Sequence, residues 1–149
     1  MRILSLIGFA LLALAGATAA AQPSGQAVTR GDAATRTEIE RILNADNVDV
    51  SQLTPRQVAD SIRAIPRGRA PDDFWTTYQA HVRAWNRFAT AQERAQRLTS
   101  AKPRIIEPIV DEMVAAQREV ESTFDEVERV ARSYGVAMPT PAGTPLPTT

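Results

Sequence analysis

Residues 72–98, DDFWTTYQAHVRAWNRFATAQERAQRL, contain no proline or glycine and predict one long helix. Along this stretch the large side chains follow one another at intervals of 4, 3, 4 and 3 residues: Phe74, Tyr78, His81, Trp85 and Phe88. A seam with a period near 3.5 residues is typical of helices that pack lengthwise at a shallow angle. The stretch therefore predicts a helix whose aromatic face needs a partner.

Residues 104–134 supply that partner. They carry a second seam of the same period and end at Gly135, a natural C-terminal residue: Ile106, Val110, Met113, Gln117, Val120, Phe124 and Val127. Pro108 lies near the start of this helix, so its first turn is either kinked or begins late. The short connection at 99–103 makes the two helices antiparallel neighbours. The sequence thus predicts an all-α fold dominated by a long antiparallel hairpin, about 72–98 and 104–134.

Charge and spacing suggest how the two helices meet. Residues 56–104 carry a net charge of +6 and residues 105–149 a net charge of −5, so the flanks attract. A turn centred near Ala101 brings together residues whose numbers add up to about 202. His81 then lies within about one turn of Gln117. We expect His81 to form a hydrogen bond with Gln117, Glu121 or a hydroxyl such as that of Tyr78, because a buried polar group needs a partner.

Two short helices precede the hairpin. Thr35-Arg36-Thr37-Glu38 has the pattern of a capping box and predicts a helix near 36–44. Thr54-Pro55-Arg56-Gln57 has the same pattern and opens a helix that carries Val58, Ile62 and Ile65 on one face. We expect both helices to pack on the hairpin. A second copy of the chain is the alternative cover for the aromatic seam, which leaves a homodimer open.

The N-terminal end of the chain predicts a signal peptide, and the C-terminal end predicts a disordered tail. Residues 1–21 combine Arg2, an apolar run and two small-x-small sites, and predict a signal peptide cleaved after Ala19 or Ala21. The apolar run is also just long enough to serve as an uncleaved anchor. No Cys follows the run, which excludes a lipoprotein anchor. After cleavage we expect no stable membrane anchor, a flexible leader at 22–34, a helical domain at 35–135 and a disordered Pro/Thr-rich tail at 136–149.

Composition excludes several classes of function. Without Arg2 the mature chain has sixteen basic and seventeen acidic residues, so it lacks the strongly basic face of a nucleic-acid-binding protein. The chain contains no Cys, although disulfides are available in the periplasm or outside the cell. Thiol nucleophiles and thiolate metal sites are therefore excluded, and stability depends on helix packing or self-association.

The candidate site residues are His81, Tyr78, Trp85 and Glu121. His81 is the only histidine, and its place in the seam allows either a general base or pH-sensitive switch, or an amphipathic packing residue. We predict no metal and no cofactor. No Glu-x-x-His pair, phosphate-binding loop or nucleophile motif occurs, and the polar residues 44–49 lack the spacing of a calcium loop. A hydrolase that uses His81 with carboxylates is the enzymatic alternative.

One short string resembles a known family. Leu53-Thr54-Pro55-Arg56-Gln57 resembles the Leu-Thr-x-x-Gln motif of the Spy-type periplasmic chaperones, which are small, exported, all-helical, cradle-shaped dimers. That family carries the motif twice, whereas the second candidate here, residues 98–102, ends in Lys102 instead of Gln. The Lys-rich concave surface of the family is also missing. The resemblance implies a chaperone that holds unfolded proteins.

The sequence as a whole predicts a small, exported, non-enzymatic helical protein in the periplasm or outside the cell. Long amphipathic helices without a catalytic motif favour an interaction module whose partner is a protein or another component of the cell envelope. A Spy-like chaperone and a carboxylate-dependent hydrolase remain the alternatives.

Overall fold

The computed structural model describes residues 31–98 and 103–142, with side chains in the second range from residue 107 onward. These residues form four helices: α1 (Ala33–Asp46), α2 (Pro55–Arg63), α3 (Asp72–Arg97) and α4 (Pro103–Ser133). The described ranges contain no strand. The predicted all-α fold with its long α3–α4 hairpin and two shorter helices is confirmed.

Some predictions fall on other parts of the chain. The signal peptide at 1–21, most of the leader at 22–34 and the last seven residues of the predicted tail lie outside the described residues. Among the residues that the structure does describe, no helix is both long enough and apolar enough to cross a membrane.

The start of α1 differs from the prediction. Asp32, not Thr35, is the N-cap, and its carboxylate accepts a hydrogen bond of 2.8 Å from the backbone N–H of Thr35. Glu38 does not close a capping box, because its carboxylate binds the guanidinium of Arg41. A carboxylate three residues earlier is the better cap, so the helix begins at Ala33, inside the predicted leader.

The predicted capping box of α2 is confirmed. Thr54 Oγ1 accepts a hydrogen bond of 3.3 Å from the Gln57 N–H, and Gln57 Oε1 accepts one of 2.8 Å from the Thr54 N–H. Pro55 occupies the first helical position, where its missing N–H breaks no helical hydrogen bond. The box places Val58 and Ile62 on the buried face of the helix, as predicted.

The helix α4 includes Pro108 and does not begin after it, since the helix starts at Pro103. At the other end Gly135 has φ +77°, and the Val136 N–H donates to the Ala131 carbonyl at 3.1 Å. The Gly135 N–H donates to the Arg132 carbonyl at 2.9 Å, which completes a Schellman motif. The predicted stop at Gly135 is confirmed, because only glycine adopts this conformation without strain.

The part of the predicted tail that the structure describes, residues 136–142, lies against the helical domain. Val136 is buried, and Met138 packs against the same core. Asn47 holds the chain farther on, since its Nδ2 donates to the Thr140 carbonyl and its Oδ1 accepts from the Ala142 N–H. The Schellman motif turns an apolar residue of the predicted tail back onto the core, so residues 136–142 contact the helical domain.

The core lies where α1 and α2 cover the hairpin. All four helices contribute to it, and its largest fully buried side chains are Tyr78, Phe74, Ile39, Ile42, Ile62, Val127 and Val136. The predicted aromatic seam is buried only at this end of the hairpin: Phe74, Tyr78 and His81 are inaccessible, while Trp85 and Phe88 are half-buried. On α4, Val110 and Phe124 are exposed although both belong to the predicted seam.

The register of the hairpin is shifted by about one helical turn from the prediction. The pairs His81–Thr123, Arg94–Glu112 and Asp73–Tyr134 make contacts of 3.1, 2.7 and 2.7 Å, and their numbers add up to 204, 206 and 207. Helical side chains lean toward the N-terminus of their own helix, so those of antiparallel helices lean in opposite directions. Two residues whose side chains touch across the hairpin therefore have higher numbers than the two residues whose Cα atoms lie at the same height along it. The predicted sum of about 202 for facing residues did not take this lean of the side chains into account.

Candidate functional site

Three of the four candidate residues line one cleft. The cleft has a volume of about 210 Å³ and lies between the end of α1, the loop that follows it, and the three other helices. Its lining includes His81, Trp85 and Glu121, and the fourth candidate, Tyr78, lies beneath it against Asp46. The remaining lining residues are Asp46, Val48, Val50, Val58, Ile62, Val120 and Phe124.

His81 is held by hydrogen bonds at both ring nitrogens. The Trp85 indole N–H donates to His81 Nε2 at 3.1 Å, and His81 Nδ1 lies 3.1 Å from Thr123 Oγ1. An indole nitrogen can only donate, so Nε2 carries a lone pair and the proton of the neutral ring sits on Nδ1. The predicted contact of His81 with a side-chain hydroxyl is confirmed, but the hydroxyl is that of Thr123 and not that of Tyr78, and Gln117 and Glu121 are not its partners. The Gln117 amide donates instead to Glu121, at 3.4 Å.

The surroundings of His81 keep the imidazole neutral. Its side chain is only 3% exposed, and its ring packs on Phe124 with the ring centroids 5.4 Å apart. Burial lowers the pKa of His81 to about 4, against the opposing effect of a hydrogen bond to the Val120 backbone. Protonation of Nε2 would also break the hydrogen bond from Trp85. His81 therefore fills the seam and offers no free lone pair to a substrate.

Replacing Trp85 with Phe tests this arrangement. We expect the substitution to raise the pKa of His81 toward its ordinary value, because Nε2 loses the N–H that it accepts and becomes free to bind a proton. The ring-proton resonances of His81, the only histidine, report this titration directly in NMR spectra. Phe88→Leu is the control, since it changes the neighbouring aromatic residue and no hydrogen bond. An unchanged pKa in Trp85→Phe would contradict the assigned hydrogen bond.

Asp46 is the site residue that the sequence analysis missed. It is the last residue of α1, and its Oδ1 accepts a hydrogen bond of 3.1 Å from the Tyr78 hydroxyl. Burial raises the pKa of Asp46 to about 6, although the hydrogen bond from Tyr78 opposes the shift. Burial, and then the charge of Asp46, raise the pKa of Tyr78. The sequence signal that could have identified Asp46 is its position at the C-terminus of a helix, where the helix dipole disfavours the negative charge of a carboxylate.

A second cleft adjoins the first. It has a volume of about 470 Å³ and shares Asp46, Val48 and Phe124 with the first cleft. The rest of its lining comes from the end of α1, α4 and the described part of the tail: Leu43, Asn47, Glu128, Met138, Pro139 and Pro141. We call the two clefts together the Asp46 groove. Its charged lining residues are Asp46, Glu121 and Glu128, and all three are carboxylates.

A third cleft lies elsewhere on the hairpin and has a structural explanation. It has a volume of about 430 Å³ and lies between α3 and α4, with Asn86, Thr90 and Ala116 in its lining. The ion pairs Arg87–Glu119 and Arg94–Glu112 cross this side of the hairpin. Among the residues that the structure describes, these pairs engage each charged side chain in the lining of this cleft: Arg87, Glu112 and Glu119.

Most of the acidic residues of α4 that the sequence offers as partners for His81 are engaged elsewhere, and Glu121 is the one that lines the cleft with His81 and Asp46. Glu119 binds Arg87, Glu126 binds Arg129 and Glu128 binds Arg132. Within residues 31–98 and 103–142 no group of three or more His, Asp or Glu residues is placed to hold a metal ion. The groove combines apolar side chains with carboxylates and with His81, whose two ring nitrogens already have hydrogen-bond partners.

Comparison with known proteins adds no relative. The chain has no significant match among protein-family models, curated proteins or solved structures.

Proposed function

We propose that the protein is a small exported helical module that acts by binding, and that the Asp46 groove receives a protein of the cell envelope. The observation that carries the proposal is the apolar lining of the groove, together with the exposure of its members Val50, at 53%, and Phe124, at 37%. Exposed apolar side chains in a concave surface are typical of interaction sites. The carboxylates in its lining favour a partner that carries positive charge at this surface.

The environment of His81 supports binding over hydrolysis. A general base needs a free lone pair and a pKa near the working pH, whereas His81 is buried, neutral and bonded at both nitrogens. Export is part of the proposal because of the sequence pattern at 1–21. We place the protein in the periplasm or outside the cell on that pattern alone.

The Spy-like chaperone is the alternative function. The five-residue string that motivates it has a local explanation here. Thr54 and Gln57 cap α2, and Arg56 binds Glu93 at 2.8 Å. A chaperone of this kind suppresses aggregation of an unfolded client at stoichiometric amounts, and we expect no such suppression. Suppression that survives substitutions in the Asp46 groove would favour the alternative.

A matched pair of substitutions tests the proposed contact surface. Val50 lies in the groove, and Val110 is a valine of similar exposure, 40%, on α4 outside it. We expect the mature chain to retain a specific protein from an envelope extract, and Val50→Asp to abolish retention because it adds a desolvated charge to the contact. Val110→Asp should retain the partner. Equal retention by both variants would contradict the proposal.

Self-association remains a prediction. A second copy that covers the exposed apolar residues of α4 would appear as a dimer in analytical ultracentrifugation at tens of micromolar. A clean monomer would reject it.

A further inference from the structure

We propose that the Asp46 groove binds a peptide segment of the partner that places an apolar side chain next to a lysine or arginine. The inference rests on the proposed function, because it names the chemistry of the partner at the same surface. It follows from three properties of the groove: its size, the sign of its charge and the absence of a cation among the lining residues that the structure describes.

The size of the cleft at Trp85 suits side chains rather than a whole small molecule. Its volume of about 210 Å³ is below the roughly 300–1,000 Å³ of most small-molecule sites, and the adjoining cleft of about 470 Å³ leaves room for the next residues of the same peptide. Val48, Val58 and Trp85 give it an apolar lining, and Val50 stands exposed beside them. A peptide that lays one apolar residue against this lining buries apolar surface on both partners.

The charge of the groove favours a cation next to that apolar residue. Asp46, Glu121 and Glu128 line the groove, and within the described parts of the chain only Glu128 of these three is in an ion pair, with Arg132. Among the residues that the structure describes, Asp46 and Glu121 receive their hydrogen bonds from neutral groups, the Tyr78 hydroxyl and the Gln117 amide. The C-terminal end of α1, at Asp46, adds partial negative charge to the same place.

Asp46 makes this charge preference dependent on pH. Burial without a neighbouring cation holds its pKa near 6, and the titratable groups that face it are Tyr78 and His81 of α3 and Glu121 and Glu128 of α4. His81 stays neutral above about pH 5, because its own pKa is lowered to about 4. A bound cation favours ionised Asp46, so binding should be stronger at pH 7.5 than at pH 5.5.

Two segments of the chain itself are rival occupants. Residues 143–149 follow the part of the tail that Asn47 holds, but GTPLPTT contains no basic residue to meet the carboxylates. Residues 102–106, KPRII, carry both basic and apolar side chains, so a second copy could present them to the groove. The test below separates both from a foreign partner.

Fluorescence anisotropy with labelled peptides and the mature chain tests the proposal. The probe is acetyl-Gly-Lys-Leu-Arg-Leu-Lys-Gly-amide; one control replaces its basic residues with Glu and the other replaces its leucines with Ser. We expect the probe to bind about tenfold more tightly than either control, since each control removes one of the two required features. Equal binding of all three peptides, or binding of none, overturns the proposal.

Substitutions in the protein locate the site and isolate the role of charge. Asp46→Asn preserves the acceptor for Tyr78, and we expect it to weaken probe binding severalfold at pH 7.5 and to remove the difference between pH 7.5 and 5.5. Val110→Asp should bind as the parent chain does. Unchanged binding and pH dependence in Asp46→Asn overturn the proposal.

The contact surface and the chemistry of the partner can be refuted separately. If the probe does not bind but an envelope protein is still lost with Val50→Asp and retained with Val110→Asp, the proposed chemistry of the partner is wrong and the contact surface stands. If the Val50→Asp variant retains the envelope protein as well as the parent chain does, the proposed contact surface is wrong too. Probe binding that is absent in the mature chain and appears only after deletion of residues 143–149, or a dimer that Val50→Asp dissociates, identifies an occupant from this chain and overturns the foreign peptide.

Discussion

Phe74→Ala is expected to lower the free energy of unfolding by about 3–5 kcal/mol, the range for a fully buried phenylalanine in a core. Phe74 is 0% exposed, stacks on Tyr78 with ring centroids 6.3 Å apart and belongs to the cluster that joins all four helices. Removing its ring leaves a cavity that α1 and α2 cannot close without moving. Urea denaturation followed by circular dichroism at 222 nm measures the change.

Phe124→Ala is the matched control for this prediction. It makes the same chemical change in the same hairpin, but Phe124 is partly exposed at the rim of the Asp46 groove. We expect a loss well below that of Phe74→Ala, because the side chain has less area to remove from the protein interior and leaves no closed cavity. Equal losses for the two variants would show that the core is not centred on Phe74.

The second large effect is a pair of opposite pH dependences. The pKa of Asp46 is raised from 3.8 to about 6, so its contribution to stability is fully present below pH 4 and is lost as the pH rises through 6. The pKa of His81 is lowered from 6.5 to about 4, so its contribution is present above pH 6.5 and is lost as the pH falls through 4. Each amounts to about 3 kcal/mol at most, and in the unaltered chain the two largely cancel.

Single substitutions expose each dependence. Asp46→Asn should be more stable than the parent chain at pH 7 by up to about 3 kcal/mol, and this advantage should disappear by pH 4. His81→Gln should be less stable at pH 7, and its deficit should shrink as the pH falls to 4. Urea titrations of the three proteins at several pH values between 4 and 7 measure both trends, and the other carboxylates cancel in the differences. Differences that do not change with pH would contradict the environments assigned to Asp46 and His81.

Local signals in the sequence were sufficient for some elements of the fold. The α2 cap depends only on Thr54 and Gln57, three residues apart, and the end of α4 depends on Gly135. The start of α1 was predicted incorrectly because the capping-box pattern from Thr35 to Glu38 competes with Asp32, and the pattern does not show that Glu38 binds Arg41 instead of closing the box. Rules for helix caps predict a helix end correctly where one residue is the clear cap, and they fail where two neighbouring residues can both cap the helix.

Features that depend on distant residues were harder to predict. The partial burial of Asp46 depends on Tyr78, which is 32 residues away in the sequence, so a helix-terminal carboxylate looked like part of a polar loop. Residues 136–142 have the composition of a disordered segment, yet Asn47 binds their backbone from the end of α1. His81, Trp85 and Glu121 were identified in sequence, but the groove that they line with Asp46 appears only when all four helices are in place.

The central claim is that the Asp46 groove is the surface on which this protein meets its partner. Photo-crosslinking from a benzoylphenylalanine at position 50, in cells that make the protein, tests it most directly. Position 110 is the matched control, because Val110 is also exposed and lies outside the groove. The account predicts one discrete adduct with an envelope protein from position 50 and none from position 110. The same adducts from both positions, or none from position 50 while position 110 reacts, would contradict it.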